Sequence, residues 1–193
     1  MKTSRLEGFS DGVFAVIITI MVLEMKVPHR GDFSALRPVL PVFSSYVLSF
    51  VFLGTYWNNH HHMLHAVRQI HGPSLWANLH LLFWLSLTPF VTDWMGENNF
   101  ATWPVVLYGL VMFCSGIAYT ILELSLIKYE GANSKLATAV AKDIKGKISI
   151  LLYTLAIPLA FVRTWISCAI YIAVVVMWLV PDRRIERIIP ESR

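Results

Sequence analysis

Charge is what this 193-residue chain has least of. Asp, Glu, Lys and Arg together make up 15% of it, against the quarter usual for soluble domains. Set beside 56% hydrophobic residues and a mean hydropathy of +0.59, that scarcity argues against a soluble globular protein. It argues equally against a disordered chain, which would be poor in apolar and aromatic residues. Cysteine is scarce as well. Cys114 and Cys168 both lie in apolar stretches, so neither a disulfide framework nor a Cys-based metal site is expected. No internal repeat is present, because the pattern of the first apolar stretch occurs once. A secretory leader is not expected either. The run after Lys2 and Arg5 contains Asp11, ends in Glu24-Met25-Lys26 and lacks a small-x-small cleavage site.

What is present fits a polytopic membrane protein. At roughly 20 apolar residues per crossing, the chain has room for about six spans with short loops. The expected fold is an all-α integral membrane protein, with residues 1–193 forming one six-helix transmembrane domain and no separate soluble domain. The spans run from about Phe9 to Met25, Val39 to His62, Leu75 to Met95, Ala101 to Ile127, Ile148 to Val162 and Thr164 to Val180. Pro28, Gly31 and Pro38 separate the first pair; Gly72-Pro73 and then Gly96 with Asn98 and Asn99 mark the next two boundaries. Only Arg163 divides the last two spans, which form either a tight hairpin or a poorly resolved pair. Pro158 is expected to kink the fifth.

Basic residues set the orientation. Twelve fall on one face (Lys2, Arg5, Arg68, Lys128, Lys135, Lys142, Lys145, Lys147, Arg183, Arg184, Arg187 and Arg193) and four on the other (Lys26, Arg30, Arg37 and Arg163). The positive-inside rule then puts both termini in the cytoplasm. Topology accounts for all these charges, and the basic stretch Lys128 to Lys147 suits anionic head groups. No nucleic-acid partner is expected.

The first span carries the most specific signal. Asp11 is a carboxylate just inside an otherwise apolar run, and ionisable groups within a membrane default to a functional hypothesis. Two readings stay open: Ser10 and Asp11 cap the helix start or bind an Arg from a neighbouring helix, or Asp11 is an ion ligand. Val16, Ile20 and Leu23 stack on one helical face, with Gly12 and Val13 continuing it and Thr19 beside it. By spacing alone this stripe is a packing surface as readily as a pore lining.

The string Arg5-Leu6-Glu7-Gly8-Phe9-Ser10-Asp11-Gly12-Val13-Phe14-Ala15-Val16 resembles the signature of the lysosomal potassium channel family, transmembrane protein 175, and its prokaryotic relatives. The shared pattern is an Arg, three residues, then Phe-Ser-Asp. The polar end of span two, Trp57 through His61, and the Asn78/His80 region resemble the second and third helices of that family. The resemblance implies six-helix subunits that form a homotetramer around a pore lined by the first helix. Such channels lack the TVGYG-type carbonyl filter, and so does this sequence. Carried over by position, Val16, Ile20 and Leu23 form the apolar constriction and Thr19 falls at a hydroxyl layer that influences selectivity. The first constriction position is often Ile or Leu; here it is Val16, so the tightest point shifts toward Ile20 or Leu23. The resemblance also implies a structural network at the cytoplasmic end, formed by Arg5, Phe9, Ser10, Asp11, Trp57, Asn58, His60, His61 and Asn78.

A ring of branched apolar side chains excludes water and can gate by dewetting. Potassium sheds its hydration shell at lower cost than sodium. The expected function is therefore a weakly selective, potassium-preferring cation channel. It would need no cofactor beyond the permeant ion, would pass other monovalent cations, and would sit as a multi-pass protein in a prokaryotic plasma membrane. Glu24 either rings the outer mouth or pairs with Lys26 or another loop charge. His61 and His65 form an i, i+4 pair, but no carboxylate follows on that helix at matching spacing, so no metal site is expected. Asp93 and Glu97, at the outer end of span three, read as solvated. The competing function is a secondary transporter of a small cation or solute, which would want broken helices or a mid-depth carboxylate. An enzyme is not expected, since no nucleophile–base spacing is evident.

Overall fold

The computed structural model describes residues 3–29, 31–131, 134–140 and 144–179. Of the basic residues that set the expected orientation, Lys2, Arg30, Lys142, Arg183, Arg184, Arg187 and Arg193 lie outside the described residues, as does Val180 at the end of the sixth span. The described chain is helical. Its elements are α1 (Thr3–Leu23), a 3-10 segment (Phe33–Val39), α2 (Leu40–His65), α3 (Gly72–Ser86), α4 (Thr88–Glu97), α5 (Thr102–Glu130), α6 (Lys135–Val140), α7 (Ile144–Leu159) and α8 (Thr164–Leu179). Four stretches are long and apolar enough to cross a bilayer: Thr3–Leu23, Phe33–His65, Gly72–Glu97 and Thr102–Glu130. The apolar helix Thr164–Leu179 is shorter, at 16 residues.

Proline explains where several helices begin. Pro41, Pro73 and Pro89 each occupy the first turn of α2, α3 and α4, where a missing N–H costs nothing and the fixed φ suits the helix. Pro89 also divides the third span, which the sequence reads as one uninterrupted helix. It denies a donor to Leu85 and its ring crowds that carbonyl, so α3 stops at Ser86 and α4 restarts at Thr88. Leu87 between them keeps helical dihedrals, and its N–H turns to Trp84 O at 3.2 Å. Pro158 produces a different outcome from the expected kink: it lies in the last turn of α7, which ends at Leu159. Residues 160–163 then turn the chain, so the hairpin is the alternative the structure adopts for the last two spans. Its turn is closed by Arg163 N–H donating to Leu159 O at 2.9 Å. Across the hairpin, the Ser167 hydroxyl donates to Ala156 O at 2.6 Å.

The turn between α4 and α5 is built on left-handed backbone. Asn99 has φ 49° and Phe100 φ 57°. Their N–H groups return to Gly96 O and Met95 O, the two bonds that finish a helix with a left-handed residue after its cap.

The helices pack through small residues and hydroxyls, as expected where lipid supplies no hydrophobic drive between them. A Cβ placed on Gly96 would sit 2.6 Å from Val42 Cα, so α4 meets the start of α2 backbone to backbone. A Cβ on Gly109 would fall on the Tyr171 ring, whose hydroxyl donates to Val105 O at 3.1 Å. Ser49 Oγ lies 2.6 Å from Thr92 Oγ1 and donates to the Tyr108 hydroxyl at 3.1 Å, tying α2, α4 and α5 together. Cys114 and Cys168 are both free and half-buried.

Candidate functional site

Helix α1 is held on one side only. Leu6, Ser10, Phe14, Ile17 and Met21 recur at three- and four-residue intervals and are buried, facing α2, α3 and α4. At about 100° per residue, the stripe of Phe9, Gly12, Val16, Ile20 and Leu23 lies about a third of a turn away. Among the described residues it is the exposed face: Val16 is 57% exposed, Ile20 40% and Leu23 74%. A Cβ built on Gly12 would meet nothing within 4 Å. Thr19 is exposed beside the stripe, and its hydroxyl donates to Ala15 O at 2.7 Å. That bond spends the proton on the helix itself and leaves the oxygen lone pairs outward.

The buried face of α1 is anchored by a relay of hydrogen bonds. His60 Nε2 donates to Asn78 Oδ1 at 2.7 Å, and Asn78 Nδ2 donates to Ser10 Oγ at 3.1 Å. Ser10 Oγ in turn donates to Leu6 O at 2.9 Å. An amide oxygen can only accept, so His60 carries its proton on Nε2. The relay joins α2, α3 and α1 in a fixed order, and all three side chains are essentially inaccessible. Phe14 packs beside it, its ring 5.9 Å from that of His60. A hydrogen-bonded polar chain in an apolar interior fixes one register between helices, because any slip strands a donor.

Asp11 is not a cap, and among the described residues no Arg of a neighbouring helix binds it. Helix α1 begins at Thr3, so Asp11 lies in its third turn. There it accepts a hydrogen bond from Trp57 Nε1 at 2.9 Å. Trp57 in turn stacks over His61, with ring centroids 6.0 Å apart and planes 26° from parallel. Of the residues expected at this end, the structure joins Ser10, Asp11, Trp57, His60, His61 and Asn78 to hydrogen-bonded or stacked partners. Arg5, Phe9 and Asn58 instead stand exposed. His80 lies off the relay and accepts from Trp84 Nε1 at 2.9 Å.

The sequence reading missed Glu7. Its Oε1 lies 2.8 Å from His61 Nδ1 and 3.3 Å from His65 Nδ1. The carboxylate sought along α2 comes instead from α1, across the interface. The available signal was that an i, i+4 His pair closes α2 just where the start of α1, its neighbour, carries a free acidic residue.

At the other end of α1, Lys26 pairs with Glu97 at the end of α4 and not with Glu24. The hydrogen bond and charge of Glu97 hold the Lys26 amine above its ordinary range. Glu97 is therefore paired rather than simply solvated, Asp93 is half-buried, and Glu24 stays exposed.

With this geometry in view, the likeness to known proteins is informative. Residues 5–89 match the family model described as endosomal/lysosomal potassium channel TMEM175. A potassium channel of a Chryseobacterium species (strain P1-3) is 50% identical over 192 residues, covering all of both chains. A potassium channel of Streptomyces collinus is 30% identical over 87% of each chain. Among solved structures, the lysosomal potassium-selective channel TMEM175 homolog from Chamaesiphon minutus superposes with a TM-score of 0.81 at 27% identity. That match covers 94% of this chain and 97% of the other. The chain belongs to the TMEM175 family.

Proposed function

We propose that this protein is a potassium-preferring, weakly selective cation channel of a prokaryotic cell membrane. In this reading four copies surround a pore lined by α1, each copy crosses the bilayer six times, and both termini are cytoplasmic. The observation that carries the reading is the one-sided anchoring of α1. Its buried face is committed to α2, α3 and α4, while Gly12, Val16, Thr19, Ile20 and Leu23 form a continuous face left exposed among the described residues. Potassium-channel relatives matching over most of the chain support the same conclusion. A secondary transporter is not favoured, since these relatives are channels.

Four such faces around an axis stack apolar rings of Val16, Ile20 and Leu23, a neck that blocks by dewetting and conducts when the helices rotate or spread. Thr19 oxygens offer weak ligands beside the neck, enough to ease partial dehydration of potassium and too few for a carbonyl-type cage. Glu24 lies exposed just beyond the helix end, where four carboxylates concentrate cations at the mouth.

The test is potassium flux from proteoliposomes. Ile20→Asn and Leu23→Asn should each wet the neck, raise resting flux and lower the preference for potassium over sodium. Unchanged flux in both variants would move the conduction path away from α1.

A further inference from the structure

We propose that Glu7, His61 and His65 form a binding site for a divalent transition-metal ion, with zinc as the best match, that clamps α1 to α2. His61 and His65 stand one turn apart on α2 with ring centroids 4.1 Å apart. Both direct Nδ1 at Oε1 of Glu7, at 2.8 and 3.3 Å, and the three candidate ligand atoms all lie within 4.8 Å of one another. In a tetrahedral zinc site with bonds of about 2.0–2.1 Å, ligand atoms stand about 3.3 Å apart. The three groups are therefore near ligating separation, and an ion enters with small rotations of the rings, each imidazole binding through Nδ1 and carrying its single ring proton on Nε2.

The surroundings suit such an ion. Glu7 is 19% exposed, His61 37% and His65 44%, so the site is open to solvent on one side, leaving a fourth position for water. Trp57 stacks on His61 and is held by Asp11, which steadies one imidazole. His65 Nδ1 also lies 3.2 Å from His61 O, a contact that metal binding would give up. Two imidazoles and one carboxylate select borderline ions over calcium or magnesium, which prefer all-oxygen shells.

The consequence rests on the channel reading: α1 is the helix whose rotation opens the neck, so a metal bridging it to α2 restrains opening.

The experiment uses the full chain, purified with its affinity tag removed, and zinc itself as the probe. Isothermal titration at fixed pH on wild type should give saturable binding. Glu7→Gln and His65→Ala should each weaken it about ten-fold or more, and zinc should raise the melting temperature of wild type only. His65 sits in the exposed last turn of α2 and Glu7→Gln keeps the side-chain shape, so both variants should fold. Cobalt should give the visible absorption of a low-coordinate nitrogen–oxygen site in wild type and lose it in both variants. Zinc affinity unchanged in both variants overturns the site. In the same preparations reconstituted in liposomes, zinc should slow potassium flux several-fold in wild type and leave the flux of each variant unslowed. Equal slowing in all three overturns the clamp. Site-dependent zinc binding without any potassium flux would sink the channel reading and leave the metal site standing.

Discussion

Asn78 shows how much one residue can hold. Its amide both accepts from His60 and donates to Ser10, so three helices depend on a group that no neighbour can replace. Asn78→Ala should cost about 1–3 kcal/mol, the penalty of leaving buried partners unsatisfied. Thermal unfolding in detergent measures it, and an unshifted transition would mean the relay is dispensable. Thr19 is a contrasting case, exposed and satisfied by its own helix. Thr19→Val keeps the shape and removes the oxygen. Stability should barely change, while the potassium-to-sodium permeability ratio should fall toward unity in reversal-potential measurements. A preserved ratio would free Thr19 from any part in selectivity.

At the scale of elements, the close helix contacts are set by residues with no side chain. Gly96 lets α4 touch the backbone of α2, and Gly109 makes room for the Tyr171 hydroxyl on its way to Val105 O. Alanine at either position must push a packed element aside, at about 1–3 kcal/mol each, the usual cost of overpacking. The Gly96→Ala penalty should be the larger, because its obstacle is main chain and cannot rotate away. Comparing the two melting temperatures checks that order. One helix boundary is legible from proline: the sequence divides spans two and three at Gly72-Pro73, and α3 begins there. The break at Leu87 is not, because hydropathy runs unbroken through it and only the missing donor of Pro89 interrupts the ladder.

For the whole molecule, the proposed assembly makes a direct prediction. Native mass spectrometry from detergent should show four times the 22.0 kDa of one chain. A single-chain mass would leave the α1 stripe facing lipid and remove the pore with it. At one end of the molecule Glu7, His61 and His65 gather, together with Arg68 N–H on Glu130. At the other, Lys26 meets Glu97. Arg68 and Lys26, which the charge pattern assigns to opposite faces, lie toward opposite ends of α1.

The apolar helices, most of their limits, the stripe along α1 and the family signature from Arg5 to Asp11 are written in the order of residues along the chain. These are properties of period and local chemistry, which need no partner to be expressed. Helix packing is what sets Glu7 against His61 and His65, gives Asp11 to Trp57, leaves Arg5 and Asn58 exposed, and pairs Lys26 with Glu97 rather than Glu24. Each of those outcomes depends on how far one helix is rotated and slid against another. A rotation of one residue, about 100°, would hand every contact to a different side chain, so spacing along a single helix cannot foretell it.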